Sequence, residues 1–396
     1  MNPKAHLPSA YKLFHDGTLA MARMEANGIR VDTAYLEKAR KDTIAKIGDI
    51  EERMRQDTLW RRFVRRFGQK ANPGSPDQLS KILYGDLGFK PPAKVPGSRD
   101  EGEHRDSVDA VALEGIDLPY VRLYSERFKL DKVLGTYLNG IRRELDDRGF
   151  LHPSFDLNTV TTYRSSSSSP NFQNFPVRDP VQGELIRRCI IPRKGNQLVE
   201  VDFSGIEVGV AACYHKDPTM LDYVRSDPGA MHTDMAKQCY RMTARQMGGI
   251  GKGEPGKQTR YCAKNMFVFP EFYGSFYLRC AKDLWEAISK FNLTLGDGTP
   301  MAAHLKAQGI RGLGAGDTKA KPVPGTFEYH LKEVEDDFWN RRFPIYAQWK
   351  KDWYSQYLRR GYADTFTGFR FTGYYRRNEI INYSVQGAAF HCLLQC

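Results

Sequence analysis

No uninterrupted apolar run of ~18 residues occurs in the 396-residue sequence, and Met1 to Leu13 carry no apolar signal core, so neither a membrane span nor a secretory leader is expected. The seven cysteines, Cys189, Cys213, Cys239, Cys262, Cys280, Cys392 and Cys396, form no C-x-x-C pair and no zinc spacing. Free thiols in a reducing cytosol are the simplest expectation. Internal repeats are absent too. Acidic residues are in deficit: 47 Asp and Glu face 59 Lys and Arg, and the net charge of +12 favours a polyanionic partner, nucleic acid first. The 41 % hydrophobic content is ordinary for a globular protein, and the length allows two or more packed units.

What is present begins with helices. Apolar positions at helical spacing over residues 8–26 end at Asn27-Gly28, and Asp32 caps a second helix running to about Phe67, with Leu36, Ile44, Ile47, Ile50 and Met54 on one face. Leu118 to Leu145 is the expected partner helix. The segment between is broken by Asn72-Pro73-Gly74, Pro91-Pro92 and Pro96-Gly97, as in a loop-rich tip. Residues 150–176 read as irregular, with the serine run 165–169 open to a linker reading. Gln197 to Val201 alternates as a half-buried strand does, and Ser204 offers an N-cap to the helix that follows. From Leu221 to Pro344 the reading is helical, with a Gly-rich loop at 248–256 and a long loop at 308–326. A short strand pair is expected around Thr365 to Tyr375 and a helix from Gln386.

Asp202, at the strand-to-helix join, is a candidate Mg²⁺ ligand, although an isolated Asp at a strand end is more often a cap or a surface residue. Arg260 and Lys264 stand one helical turn apart, and the aromatics after them suit a base beside phosphates. Gly251 to Thr259 is one substitution from a P-loop, but Gln258 replaces the hydroxyl residue and no strand precedes it; a mobile loop is expected instead.

The order of these elements resembles the family A DNA polymerases, the bacterial polymerase I and phage type. The run Thr162-x-Arg164-x-x-Ser167-x-x-Pro170-Asn171-Phe172-Gln173-Asn174-Phe175-Pro176 resembles the family's T-x-R-x-x-S-x-x-P-N-L-Q-N-I-P element. Asp202 to Glu207 resembles motif A, His232 the fingers histidine, Arg260, Lys264 and Tyr273-Gly274 motif B, and Val385-Gln386-Gly387 the V-Q-G signature. Met24 to Asp32 matches the region before the thumb.

The resemblance implies an α+β right hand: 1–32 leading into the thumb, 33–149 thumb, 150–222 palm, 223–345 fingers and 346–396 palm again, with an antiparallel palm sheet cut short at the C-terminus. It implies template-directed addition of dNTPs to a primer 3′-hydroxyl by a two-metal mechanism, with primer-template DNA and dNTPs as partners. Asp202 would ligate both Mg²⁺ ions, and Glu207 with the motif B tyrosine would exclude a ribose 2′-hydroxyl. His232, Arg260 and Lys264 would neutralise the triphosphate. Arg164 and Gln386 would read minor-groove acceptors, and Thr162, Asn171, Gln173 and Asn174 belong to the same DNA-binding element.

The departures matter as much. Tyr273 is nine residues beyond Lys264 where the family has eight, so Phe272 competes for the gate position, and the base-stacking aromatic is Val268 or Phe269 by the direction of counting. A kink or π-bulge near Pro270 is expected to absorb the extra residue and keep Tyr273 at the gate. Gly205 and Gly209 replace a Gln and an Arg. No carboxylate follows Glu379, and His15-Asp16 lies in the first helix, so the family's motif C carboxylate is expected to be missing. A separate C-terminal polymerase chain is therefore a possible partner, and a catalytically incomplete DNA-binding fragment is the alternative reading. A single-subunit RNA polymerase is disfavoured by Glu207.

Overall fold

The computed structural model describes residues 3–91, 94–96, 104–110, 112–113, 115–176, 179–227, 229–314 and 321–396. Pro92 and Gly97 of the expected tip, and 315–320 of the expected long loop, lie outside the described residues. The chain divides into two compact bodies, one of residues 19–156 with 165–200, the other of 1–18, 157–164 and 201–396.

α1 (Leu7–Asn27) crosses the division after residue 18, and in the first body it ends at Gly28, whose φ of 62° and close approach to His152 and Leu151 leave no room for a Cβ. β1 (Ile29–Val31) follows, and Asp32 then caps α2 (Thr33–Gln56) by accepting from Tyr35 N at 2.9 Å. The helix does not continue to Phe67 as the spacing predicts. Asp57 turns extended and its carboxylate takes Leu59 N at 2.7 Å, a local bond that competes with the helical one, so the chain restarts as α3 (Trp60–Phe67). Ile44 also lies off the buried face, 51 % exposed.

The short α4 (Pro76–Ser80) follows, then the paired strands β2 (Lys94–Pro96) and β3 (His104–Asp106). The expected partner rod is α5 (Pro119–Lys132), a π-type turn over Val133–Leu138, and α6 (Asn139–Glu144); α2 packs along α5. Phe63, Leu79, Tyr120 and Tyr124 fill the core beneath α3. Residues 150–176 are more regular than expected: β4 (Phe150–Leu151), β5 (Ser154–Asp156) and β6 (Ser166–Ser168) occupy them. The serine run is no linker here, since Ser167 pairs opposite Phe155. α7 (Pro180–Arg187) leads to β7 (Ile190–Ile191), and β1 lies between β4 and β7, antiparallel to both.

The second body is built of α8 (Ile206–His215), α9 (Pro218–Ser226), α10 (Ala230–Cys239), α11 (Ala244–Met247), α12 (Pro255–Ala263), α13 (Phe269–Phe272), α14 (Tyr277–Lys290), α15 (Met301–Ala307), α16 (Phe327–Asp337) and α17 (Pro344–Arg360), then the β8 (Tyr362–Asp364) and β9 (Arg370–Thr372) hairpin and α18 (Arg377–Leu394). The hairpin's first strand comes earlier than expected. α18 starts nine residues before Gln386, so Val385-Gln386-Gly387 sits mid-helix. Asp217, 1 % exposed, is the joint of this body. It accepts Thr219 N and Met220 N at the start of α9 and Ile345 N and Tyr346 N at the start of α17.

Residues 197–201 do not form the expected strand. The segment has no ladder partner among the described residues, and Val199 and Val201 are 82 % and 85 % exposed. Alternation supplies a face for a sheet, but only a neighbouring strand satisfies the backbone groups. Nor does Ser204 cap α8: Gly205, at φ 65°, holds that place with no side-chain bond.

Candidate nucleotide and primer site

Four stretches far apart in sequence meet around Glu207, on the first turn of α8. Its Oε1 pairs with Arg164 Nη2 and its Oε2 accepts the Tyr273 hydroxyl. Burial and the Glu207 bond both push the Tyr273 phenol above its ordinary range, so Tyr273 is the donor. The Gln386 side chain reaches the same hydroxyl, and Arg164 Nε also faces Gln386 O at 3.5 Å.

Backbone geometry explains how Arg164 is held. Tyr163 has φ 57°, its ring packs on Phe369 and Phe371, and its hydroxyl donates to Arg370 O at 2.7 Å. The buried imidazole of His391 donates through Nε2 to Tyr163 O (3.2 Å) and accepts the Thr367 hydroxyl at Nδ1 (2.7 Å). Burial lowers its pKa to about 4, which keeps it in the neutral form this pair of bonds requires. Thr162 is buried, and a Cβ on Gly387 would lie 2.5 Å from Thr162 O. The glycine of the V-Q-G run is therefore where α18 meets that backbone.

Motif B resolves the counting problem. The helix widens to a π turn over Lys264–Val268, where Phe269 N reaches Lys264 O, and α13 follows directly with Pro270 in its first turn. Phe272 then points into the core against Phe338, Phe343 and Tyr346, while Tyr273 faces Glu207. Val268 is fully buried, and Phe269 is the aromatic on the site, stacked on Tyr273 at 6.1 Å with the Lys264 ammonium 5.3 Å from its ring. Arg260 Nε and Nη2 reach Gly229 O at 3.4 and 3.3 Å, and His232 lies edge-on to Phe269. Burial first, then Lys264 and Arg260, lower the His232 pKa to about 4, so near neutrality it brings a hydrogen-bonding ring and not a third positive charge.

Behind Glu207 and Tyr273 only about 20 Å³ is open, walled by Phe269, Tyr346 and Val385. That is room for about one water.

Asp202 stands apart from this cluster. It is exposed, without a side-chain partner among the described residues, and no group of three or more His, Cys, Asp or Glu there is placed to hold a metal ion. One open carboxylate suits a hard cation, but alone it does not make a two-ion site. His15-Asp16 belongs to α1, where exposed Asp16 pairs with Lys12 at 2.7 Å. Asn171, Gln173 and Asn174 lie on the first body: Gln173 donates to Ser165 Oγ at 2.7 Å, Asn174 O accepts the Tyr137 hydroxyl, and Asn171 and Asn174 border a cleft of about 460 Å³ with Lys132. The P-loop-like run is occupied by its own side chain, since the Glu254 carboxylate takes Gly251 N.

The sequence reading missed Asn378 and Asn382, which donate to Gly274 O and Tyr273 O at 3.3 and 3.4 Å and clip the Tyr273 turn to α18. Their i, i+4 spacing is visible in the chain, but not on a helix expected to begin at Gln386. Glu271 was missed as well. Its buried carboxyl shares hydrogen bonds with Glu335 and Trp339 Nε1, and burial together with Glu335 raises its pKa.

Comparison with known proteins agrees with the motif order. Residues 41–290 match the model of DNA polymerase family A. The thermostable DNA polymerase I of Thermus aquaticus is 31 % identical over 267 residues, 67 % of this chain and 29 % of that protein. DNA polymerase I of Deinococcus radiodurans is 29 % identical over 265 residues, 67 % of this chain and 25 % of its own length. This chain thus spans less than a third of these bacterial relatives. The POL domain of Pol1 from M. smegmatis, solved in complex with DNA primer-template and dNTP, superposes with a TM-score of 0.62 at 20 % identity, covering 96 % of this chain and 56 % of that one, a likeness of fold. With the family model matched over more than half of its length, the chain belongs to the family A DNA polymerases.

Proposed function

We propose that this chain forms the nucleotide-selecting and primer-holding part of a template-directed DNA polymerase, joining a dNTP to a primer 3′-hydroxyl. The observation that carries the reading is Glu207 held between Tyr273 and Arg164, because it ties motif A, motif B, the Thr162 element and V-Q-G into one site. In this reading the thumb, palm and fingers follow the ranges expected from the sequence. Phe269 and Tyr273 take the base and sugar of the incoming nucleotide, and Glu207, fixed by the Tyr273 hydroxyl, stands where a ribose 2′-hydroxyl would come. Arg260 and Lys264 balance triphosphate charge, and His232 donates a hydrogen bond to it. Arg164 and Gln386 meet the minor groove of the primer terminus, and Thr162, Asn171, Gln173 and Asn174 line the DNA.

Divalent ions, generally Mg²⁺ in this family, would supply activation of the 3′-oxygen and support of the leaving pyrophosphate. Asp202 would be this chain's ligand for them, and among the described residues no group of three or more His, Cys, Asp or Glu completes the site; a separate C-terminal polymerase chain would supply a second carboxylate, pairing at the exposed, unladdered stretch about Val199 and Val201. The test is primer extension with Mg²⁺ and four dNTPs beside Asp202→Ala, alone and with the C-terminal palm segment of a family member added. Extension that survives Asp202→Ala, or no binding of primer-template at all, would overturn the reading.

A further inference from the structure

The structure shows eight large aromatic side chains that are exposed among the described residues, and three of them lie on two segments that Asn378 ties together. Tyr273 is 37 % exposed, Phe276 49 %, and Tyr374 wholly so. Asn378 bonds Gly274 O between the first two, and Tyr374 precedes Asn378 by four residues on the turn that enters α18.

That turn is rigid. The Tyr357 hydroxyl donates to Gly373 O and accepts Tyr375 N at 2.8 Å, while the Tyr375 ring is packed against Phe371, Tyr357 and Tyr383. Two neighbouring tyrosines thus part: Tyr375 goes into the core, and Tyr374 is held out in water with its backbone fixed. Arg376 and Arg377 follow, exposed and without an acidic side-chain partner among the described residues; the nearby Glu379 carboxylate takes the Arg376 backbone N–H at 2.7 Å. An aromatic ring on a fixed backbone beside two open guanidinium groups is what a single-stranded nucleic acid uses, a base on the ring and phosphates on the cations.

Resting on the polymerase reading above, we propose that Tyr374, with Arg376 and Arg377, is a stacking platform for the unpaired template strand ahead of the primer terminus. Scale supports it. From Arg377 to Gln386 the helix rises about 14 Å, roughly four stacked nucleotides. The platform therefore engages a base a few positions into the overhang and leaves the paired terminus to Arg164 and Gln386.

The experiment compares the affinity of the chain for one primer-template carrying either a blunt end or a six-nucleotide 5′ template overhang, with 5-iodouracil placed in turn at each overhang position for photocrosslinking. The overhang should tighten binding by about tenfold, crosslinking should peak at one position two to five nucleotides out and map to Tyr374, Tyr374→Ala should erase the gain, and Tyr374→Phe should keep it. A gain unchanged in Tyr374→Ala, a crosslink peak elsewhere, or equal affinity for blunt and overhanging DNA overturns the platform while leaving the polymerase reading intact. Failure of the wild-type chain to bind either DNA overturns both.

Discussion

Asp202 and Glu207 are five residues apart and could hardly be held more differently. Glu207 spends both oxygens on protein, Arg164 and Tyr273, and is set in place before any ligand arrives. Asp202 is exposed and bonded to nothing among the described residues. A carboxylate used for shape is best fixed by its own fold, whereas one used to grip a cation must keep its oxygens open until the other ligands are present. In the proposed reading, selection of the nucleotide rests on the fixed acid and metal binding on the open one.

Substitutions should expose that contrast. Asp202→Ala is expected to abolish extension in any assembly that extends primers, while the melting temperature and duplex affinity stay near wild type; a fall in melting temperature would mean the open carboxylate is structural after all. Glu207→Ala should do the reverse, lowering the melting temperature and weakening discrimination against ribonucleotides by roughly ten- to a hundredfold, read from competing dNTP and NTP incorporation. Unchanged sugar selectivity would remove Glu207 from the gate.

Gly387→Ala probes the backing of the fixed acid. Its methyl meets Thr162 O at 2.5 Å and should cost about 1–3 kcal/mol by chemical denaturation, with primer affinity falling as Arg164 shifts. The pH response is smaller and has a definite sign. His391, His232 and His330 have pKa values lowered to about 4, each chiefly by burial, so between about pH 6.5 and 4 the unfolded chain takes up protons that the folded chain refuses. The histidines' contribution is fully present above pH 6.5 and declines as pH falls through that window; Glu271, raised from 4.5 to about 8, has the opposite slope between those values. Thermal melts of Glu271→Gln across pH 4–7 test this, and a flat profile there would contradict the buried neutral rings. The mildest effect is expected on the first body, where Arg61, Arg62 and Arg65 of α3 are exposed with no acidic partner among the described residues. Their joint replacement by Ala should reduce the salt slope of DNA binding by about 0.9 for each phosphate they neutralise.

Much of the site was legible because its chemistry is written in side-chain types. The place of Tyr273 over Phe272 followed from the extra residue and Pro270, and the π turn ends two residues upstream of that proline. Less legible were features set by partners distant in the chain. Residues 197–201 alternate well, yet a strand is a property of two segments, and the second is lacking among the described residues. The early start of α18 was hidden because Ile380, Ile381 and Tyr383 are indifferent helix formers; burial of Ile380 and Ile381 overrides propensity there. His391 gave no signal at all, since its value lies in reaching Tyr163, 228 residues away.

The π turn at Lys264–Val268 carries a consequence for how such a chain can change length. One residue added to a regular helix rotates everything beyond it by about 100°, which would swing Tyr273 from Glu207 toward the core and bring Phe272 out in its stead. Taken up as one wide turn, the same residue leaves the angular position of Tyr273 as it was. Length and register are uncoupled at that point, so the helix could gain its extra residue in one step, without an ancestor whose site faced the wrong way.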